Sequence, residues 1–320
     1  MAEALDVHPE VNRTGGACIF GVDDPTLPYL AARVFPAAQQ IPLAVGQDAD
    51  SVVGQLGPDV RWFVWHALPT HKGGMPRHRE ALRRMLRERS IFGINERVVD
   101  ISKRNTQAVL AGLGLPTTEA ARGGEPSEKL FLKSNHNYGG RAERLMSQEL
   151  RDYFGVAVPH PQTPEFKQYR VVERRHVQSL AFNLADVFVE RFVENSAEVF
   201  YRAFIVFDAV VLSRIVCGGV IKKALGAEQR DDYFLSFSDA DSGFASAPDD
   251  TVRKIMVDLA RFCPTFGLDL GAVDILPDDD GVPHIIDANP TAWGGENCDR
   301  PGFLDHLTAV LVGRNAAAPS

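Results

Sequence analysis

The feature that most restricts the fold of this chain is a stretch near its C-terminal end, residues 273–291, with the sequence VDILPDDDGVPHIIDANPT. Two apolar segments flank a polar turn at Asp278–Gly281, which predicts a β-hairpin. Because side chains on a strand alternate between faces, Asp287 and Asn289 share one face. In a hairpin, Asp274 lies beside them across the ladder. The stretch therefore predicts two carboxylates and one amide oxygen at a single spot.

The chemistry of these three side chains suits a metal ion. Carboxylate and amide oxygens are hard ligands, of the kind that Mg²⁺ takes together with waters and phosphate oxygens. The alternative is that the sequence from Asp287 to Pro290 only ends a strand, because Asp, Asn and Pro all favour turns. The apolar run before Asp287 favours the metal, since a carboxylate beside a buried strand needs a partner. Asp278–Asp280 are more simply a solvated acidic turn.

Composition and charge narrow the class of protein. The chain has 320 residues, enough for a full core, and its formal net charge of −8 argues against a nucleic-acid partner. Local lysines and arginines can still bind an anion. Four widely spaced cysteines without a CxxC pair predict neither a disulfide framework nor a zinc site. With no signal-peptide pattern and no apolar run of about 20 residues, a cytoplasmic protein without a membrane partner is expected.

Alternating strand and helix patterns predict three units: a small N-terminal α/β domain over residues 1–95, a second unit over 96–190 and a third over 191–320. The first unit contains a strand pattern at 61–68 and a basic amphipathic helix at 77–90. Further elements are predicted in chain order: a helix within 96–114, a strand at 129–133, a helix at 173–185, strands at 199–207, 210–216 and 271–276, and a helix at 252–266.

A second candidate site surrounds Lys133, which ends an apolar strand and precedes a loop containing Gly139 and Gly140. Glycine loops can present backbone N–H groups to a phosphate, and a lysine at the loop edge adds a point charge. A surface hairpin is the alternative interpretation, because a glycine pair alone is a weak signal.

The order of these motifs resembles the ATP-grasp superfamily. The features are a strand ending in lysine, a glycine loop, the apolar segment Val189–Phe192, a long strand that carries an arginine, and Asp274 followed by IIDANPT. The resemblance covers roughly residues 95–310. It implies a mixed α+β and α/β fold in which two subdomains hold ATP between them, after a small N-terminal α/β domain.

The resemblance implies roles on the nucleotide side of the site. Lys103 and Lys133 resemble the lysines that contact the phosphates, and Asn137–Gly140 resembles the flexible lid. Val189–Phe192 resembles the hinge between the subdomains, where adenine lies among apolar side chains and bonds to main-chain groups. Glu198 resembles the carboxylate that binds ribose. The nucleotide-binding residues implied are therefore Lys103, Lys133, Asn137, Gly139, Gly140, Glu190, Arg191, Phe192, Val193 and Glu198.

The resemblance also implies a metal site and a cationic clamp, and several alternatives stay open. The implied metal ligands are Asp274, Asp287 and Asn289, and the implied catalytic cations are Arg202, Arg214 and Lys222. Arginines on adjacent strands can clamp a phosphate or carboxylate, or simply pair with nearby acids. Glu190 and Arg191 form an ordinary exposed pair in the alternative interpretation, and Glu194 is a rival to Glu198. Most members of the superfamily carry Glu where Asp287 stands, so the number of metal ions is open.

The implied activity is ligation of a small-molecule carboxylate to an amine through an acyl phosphate, with release of ADP and phosphate. The cofactors implied are ATP and Mg²⁺, with Mn²⁺ as a substitute, and the implied setting is specialised-metabolite biosynthesis. Two other interpretations remain: a small-molecule kinase on the same fold, and a regulatory module that binds ATP without turnover. A homodimer is common in the superfamily, but the sequence selects neither the substrates nor the oligomeric state.

Overall fold

The computed structural model describes residues 16–21, 28–66, 78–160, 163–164, 168–219 and 229–316. Its first sheet is fully parallel, with strand order β2-β1-β3-β4. The strands are β1 (Gly16–Phe20), β2 (Gln39–Ile41), β3 (Val60–Trp65) and β4 (Phe92–Ile94), and the helices of this unit are α1 (Leu30–Val34), α2 (Ala49–Gln55) and α3 (Arg79–Glu88). Parallel sheets are covered on both faces, which explains the nearly continuous apolar sequences of β1 and β3.

The second sheet has three antiparallel strands in the order β6-β5-β7. They are β5 (Lys129–Ser134), β6 (Arg170–Glu173) and β7 (Val187–Arg191), and helices α5 (Arg141–Leu145) and α6 (Gln148–Phe154) follow β5. Helix α4 (Lys103–Gly112) precedes this sheet in the chain. The helix that the sequence predicts at 173–185 is absent. Two short 3₁₀ turns, Arg174–His176 and Ser179–Phe182, replace it.

The third sheet is antiparallel, with strand order β10-β9-β8-β11-β12. Its strands are β8 (Val199–Val206), β9 (Ala209–Val216), β10 (Gln229–Ser236), β11 (Leu270–Pro277) and β12 (Pro283–Asn289). Helices α4 and α7 (Asp250–Phe266) cover one face and enclose the largest apolar core. Helix α8 (Phe303–Ala316), α1 and part of the first sheet cover the other face. The two faces of this sheet therefore meet different surroundings.

Each of the four cysteines, Cys18, Cys217, Cys263 and Cys298, is a buried thiol. Among the residues that the structure describes, no helix has both the length and the apolar character needed to cross a membrane.

Candidate nucleotide and metal site

The hairpin predicted near the C-terminal end is formed by β11 and β12. Asp274 lies directly opposite Asp287, as the alternation of the sequence predicts. The register then shifts, so that Ile275 faces Ile285 and Ile286 is the extra residue of a β-bulge. The carbonyl of Ile286 accepts a hydrogen bond from the Lys133 Nζ at 3.1 Å. Through this hydrogen bond, the bulge in the β11–β12 hairpin contacts Lys133 on β5 of the three-stranded sheet.

Two buried lysines approach this hairpin from the second unit of the chain. The Nζ of Lys103 lies 3.6 Å from Oδ1 of Asp287 and donates to the carbonyl of His136 at 3.0 Å. The Nζ of Lys133 lies 2.9 Å from Oε2 of Glu190, and both side chains are nearly inaccessible to solvent. Glu190 also accepts a hydrogen bond from the Thr118 hydroxyl at 3.1 Å. Glu190 is therefore one half of a buried ion pair, which corrects the exposed-pair alternative.

The two aspartates carry oxygens that other groups leave unsatisfied. Nε of Arg202 lies 3.0 Å from Oδ1 of Asp274, but the two groups are not aligned for a hydrogen bond. Within the described part of the chain, neither that oxygen nor Oδ1 of Asp287 accepts a hydrogen bond, although both are buried. Burial raises the pKa of Asp274, the positive charge of Arg202 opposes the shift, and Asp287 adds to it. Two buried oxygens without donors fit a divalent cation, which satisfies such groups.

Asn289 differs from the two aspartates in its surroundings. Its Oδ1 accepts hydrogen bonds from the amide and hydroxyl of Thr291, each at 2.9 Å, and from Nδ2 of Asn137 at 3.2 Å. Its part in binding a metal stays a prediction, because the oxygen would have to exchange these donors for the ion. No set of three or more His, Cys, Asp or Glu side chains within the described ranges is placed to hold a metal. The fitting set is two carboxylates, and Mg²⁺ commonly uses one or two together with waters and phosphate oxygens.

The expected clamp of Arg202 and Arg214 does not form. Arg202 stands opposite Ser213, and Arg214 stands opposite Tyr201. Because directly opposed residues share a face and neighbours alternate, the two arginines project from opposite faces of the sheet. Arg202 faces Asp274, whereas NH1 of Arg214 lies 3.5 Å from Asp231. The sequence shows that both lie on strands, but only the register shows which face each occupies.

One other expectation, the catalytic role of Lys222, lies outside the described residues.

The hinge predicted at Val189–Phe192 forms the end of β7 and the residue after it. The amide of Arg191 donates to Thr118 and the amide of Phe192 donates to Lys129, so these two donors are already used. Val193 is half-buried and Glu198 is exposed, whereas Glu194 forms an ion pair with Lys129 at 2.8 Å. Because Glu194 already pairs with Lys129, Glu198 is the better candidate for the predicted ribose ligand. The adenine and ribose contacts stay predictions.

The predicted lid begins with a 3₁₀ turn, Asn137–Gly140, and continues into α5. His136, at its base, is completely buried. Its Nδ1 lies 3.3 Å from Glu143 of α5, and its Nε2 lies 2.9 Å from Asp186, next to β7. The imidazole therefore links α5, in the predicted lid, to Asp186, which directly precedes β7 of the three-stranded sheet.

The His136 contacts make stability depend on pH. Burial opposes the charged ring, but the hydrogen bonds and charges of Glu143 and Asp186 outweigh it and raise the pKa of His136 above its ordinary 6.5. Because the pKa of His136 is higher in the folded than in the unfolded protein, protonation of the ring stabilises the fold. This stabilisation is fully present below the pKa of the unfolded protein, and it is lost as the pH rises through the pKa of the folded protein. We expect the thermal midpoint to fall more steeply from about pH 6 to about pH 9 in the wild type than in His136→Gln. The exposed His176→Gln serves as the control. Equal slopes in all three proteins would contradict the assignment.

A substitution at Gly140 tests whether the 3₁₀ turn Asn137–Gly140 requires glycine at its last position. Its φ is +76°, and an added Cβ would lie 2.7 Å from Cγ of Pro159. We expect Gly140→Ala to lower the free energy of unfolding by about 1–3 kcal/mol. Gly112→Ala is the matched control, because a Cβ there meets no atom within 4 Å. It should leave stability unchanged or raise it by up to about 1 kcal/mol in urea unfolding. Equal effects of the two substitutions would argue against a strained turn.

Some side chains of this site have no motif that sequence analysis could use. Burial raises the pKa of Tyr169 to about 12, and the charges of Lys133, Asp287 and Glu190 also act on its hydroxyl. Gln107, buried on α4, donates to the carbonyl of Ile285 at 2.9 Å and accepts from the amide of Thr118 at 2.7 Å. Gln107 thereby links β12 of the five-stranded sheet to Thr118, whose carbonyl accepts a hydrogen bond from Arg191 at the end of β7.

With the geometry established, comparison with known proteins identifies the fold. No protein-family model and no curated protein matches the sequence. Among solved structures, the ATP-grasp ligase PsnB with a phosphomimetic variant of its minimal precursor, Mg and ADP aligns over 93% of this chain and 98% of that chain. The TM-score is 0.51 at 13% identity. PsnB with a precursor peptide and AMPPNP aligns over 95% and 99%, with a TM-score of 0.50 at 15% identity.

These alignments cover more than nine-tenths of the chain, and the structure has one parallel and two antiparallel sheets, which defines its class as a mixed α/β protein. The chain has the ATP-grasp fold, which confirms the fold that the sequence predicts.

Proposed function

We propose that the chain is an ATP- and Mg²⁺-dependent ligase that joins a carboxylate to an amine, with release of ADP and phosphate. The observation that carries the proposal is the meeting of two unsatisfied carboxylate oxygens, on Asp274 and Asp287, with the buried ammonium groups of Lys103 and Lys133. Opposite charges at this density suit a triphosphate and its metal better than a neutral ligand. The fold is the one that PsnB uses as an ATP-grasp ligase.

The reaction consists of two displacements. The substrate carboxylate attacks the γ-phosphate of ATP, which gives an acyl phosphate and ADP, and an amine then attacks the acyl carbon and displaces phosphate. Asp274 and Asp287 would hold Mg²⁺, and the ion would supply positive charge to offset the negative charge on the phosphate oxygens. Lys103 and Lys133 bind phosphate oxygens, and Arg202 lies where it can orient the attacking carboxylate. The chain needs positioning and charge neutralisation rather than its own nucleophile.

Several finer points belong to the same proposal. The enzyme acts in the cytoplasm, in a biosynthetic pathway of specialised metabolism, and Mn²⁺ replaces Mg²⁺. The substrates are small molecules, and a peptide is the second class to test, because PsnB was solved with its precursor peptide. A homodimer is the expected assembly.

The decisive experiment measures ADP release with pooled carboxylates and amines, followed by mass spectrometry of the products. We expect ADP and an amide to form in equal amounts, and only when a carboxylate and an amine are both present. A phosphorylated product that forms without an amine would replace the ligase with a kinase. Saturable ATP binding without ADP release across all pairs, peptides included, would indicate a regulatory module.

A further inference from the structure

The β-bulge in the β11–β12 hairpin decides which face of the sheet Asp287 occupies. Ile275 pairs with Ile285, so a regular ladder would next place Ile286 opposite Asp274. Asp287 would then project from the other face, because neighbouring residues on a strand alternate. The extra residue in the bulge instead brings Asp287 opposite Asp274. The proposed metal site therefore depends on the bulge.

The buried side chains of β12 show the same displacement. Ile285 and Ala288 both pack in the apolar core that α4 and α7 enclose. In a regular strand, residues three apart point to opposite faces, and the bulge places these two on one face. Their packing fixes the strand on either side of the bulge, whereas the buried peptide groups within it need polar partners.

Two buried side chains donate to successive carbonyls at the bulge. Nε2 of Gln107, on α4, donates to the carbonyl of Ile285 at 2.9 Å. Nζ of Lys133, on β5, donates to the carbonyl of Ile286 at 3.1 Å. Both donor side chains are buried. Because a buried carbonyl that loses its donor destabilises the fold, these two contacts favour the bulged conformation.

The two donors are linked to each other through Thr118 and Glu190. The amide of Thr118 donates to Oε1 of Gln107 at 2.7 Å, and its hydroxyl donates to Oε2 of Glu190 at 3.1 Å. The same carboxylate oxygen lies 2.9 Å from Nζ of Lys133. These contacts form a closed ring from one carbonyl of the bulge to the next, and all four side chains are buried. A buried, connected polar network of this kind favours one arrangement of the groups that it joins.

We infer that Gln107 is a positioning residue of the proposed metal site. By holding the carbonyl of Ile285 it maintains the bulge, and the bulge keeps the carboxylate of Asp287 beside that of Asp274. The inference rests on the proposed ligase function, in which these two carboxylates hold Mg²⁺. Lys133 holds the other carbonyl but also has a proposed phosphate contact, so a change at Gln107 tests the bulge more directly.

The test measures metal affinity separately from turnover. Binding of Mn²⁺ is followed by electron paramagnetic resonance, with the protein alone and with the protein saturated with a non-hydrolysable ATP analogue. Gln107→Met keeps the length of the side chain but lacks the amide that bridges Ile285 and Thr118. We expect this variant to bind Mn²⁺ about tenfold or more weakly, as is usual when a group that orients a metal ligand is removed. Its affinity for the ATP analogue without metal should stay close to that of the wild type.

Two further variants accompany Gln107→Met. Gln107→Asn keeps an amide group but is too short to bridge both partners, so Mn²⁺ binding should weaken again. Thr106→Val is the matched control, because Thr106 is equally buried on α4 but its hydroxyl donates to the carbonyl of Ser102, at the start of its own helix. This control should bind Mn²⁺ as the wild type does.

Turnover gives an additional readout of the same role. In Gln107→Met, the Mg²⁺ concentration that gives half-maximal ADP release should rise about tenfold or more. The maximal rate at saturating Mg²⁺ should be largely recovered, because both carboxylates are still present. A loss of stability alone would not shift the Mg²⁺ requirement of the folded enzyme.

The outcomes separate this inference from the proposed function. Gln107 variants that bind Mn²⁺ as tightly as the wild type would overturn the positioning role and leave the proposed function in place. An equal loss of affinity in Thr106→Val, or loss of the fold in both Gln107 variants, would also overturn it, since either result would assign Gln107 to stability. A wild type that binds no Mn²⁺ in either condition would overturn the proposed metal site itself.

Discussion

Asp287→Asn is expected to reduce ATP turnover by at least about 100-fold, because changes to residues that only support a metal ligand already cost 10- to 100-fold. The substitution keeps the shape of the side chain but removes the charge that faces Lys103 and, in our proposal, Mg²⁺. The measurement is ADP release at several Mg²⁺ concentrations. The loss should lessen only partly at high Mg²⁺, since one of the two carboxylates is gone.

Stability gives this prediction a second readout. Asp274 and Asp287 are directly opposed, and the negative charge of Asp287 contributes to the raised pKa of Asp274. Asp287→Asn removes one of two like charges but also leaves the buried ammonium of Lys103 without its partner at 3.6 Å, so we expect the thermal midpoint to fall. ADP release is measured well below that midpoint, where the variant is folded. Asp280→Asn, in the exposed turn of the same hairpin, is the matched control and should behave as wild type. Full turnover in Asp287→Asn would disprove the metal site.

Lys133→Met is expected to lower the free energy of unfolding by about 3–5 kcal/mol, since it leaves the carboxylate of Glu190 buried without its partner. The pair is 2.9 Å apart, and the two side chains are 5% and 7% exposed. Lys133→Met also removes the hydrogen bond to the carbonyl of Ile286 and, in our proposal, a phosphate contact. Unfolding in urea measures the loss of stability, and ADP release measures the loss of the proposed phosphate contact.

The same strand supplies the control for Lys133. Lys129 pairs with Glu194 at nearly the same distance, 2.8 Å, but both side chains are more than half exposed. Lys129→Met should therefore cost at most about 1 kcal/mol. In the double variant Lys133→Met/Glu190→Gln, the cost should be well below the sum of the two single changes, because no charge is left buried alone. Additive effects, or equal costs for Lys129 and Lys133, would show that burial does not govern this pair.

Most of what the sequence could predict came from the local alternation of apolar and polar residues. The hairpin of Asp274 and Asp287 follows from strand alternation over a short connection, so its geometry is contained in adjacent residues. The fold class followed from the order of motifs along the chain. Lys133 could be singled out because it directly ends an apolar strand.

The rest depended on contacts between distant segments. The partner of Lys133 is Glu190 on a neighbouring strand, and nothing in the local sequence around either residue specifies the other. Strand β10 begins with Gln, Arg, Asp and Asp, and this polar sequence does not predict a strand. The segment is a strand because it pairs with β9. The helix expected at 173–185 gives way to 3₁₀ turns because Arg174, at its start, is held by Glu128 and the carbonyl of Ala121. Tertiary contacts override a modest helical preference there.

The buried thiols make this chain convenient for site-specific labelling. Burial raises the pKa of Cys18 to about 12 and that of Cys298 to about 11, and it raises the pKa of Cys263 further. Because the thiolate is the reactive form, these native cysteines should react slowly with maleimide dyes. Leu145→Cys, at a position that is 70% exposed at the end of α5, would then carry a fluorophore without removal of any native cysteine. A change in its emission on addition of nucleotide would test the prediction that this segment moves as a lid.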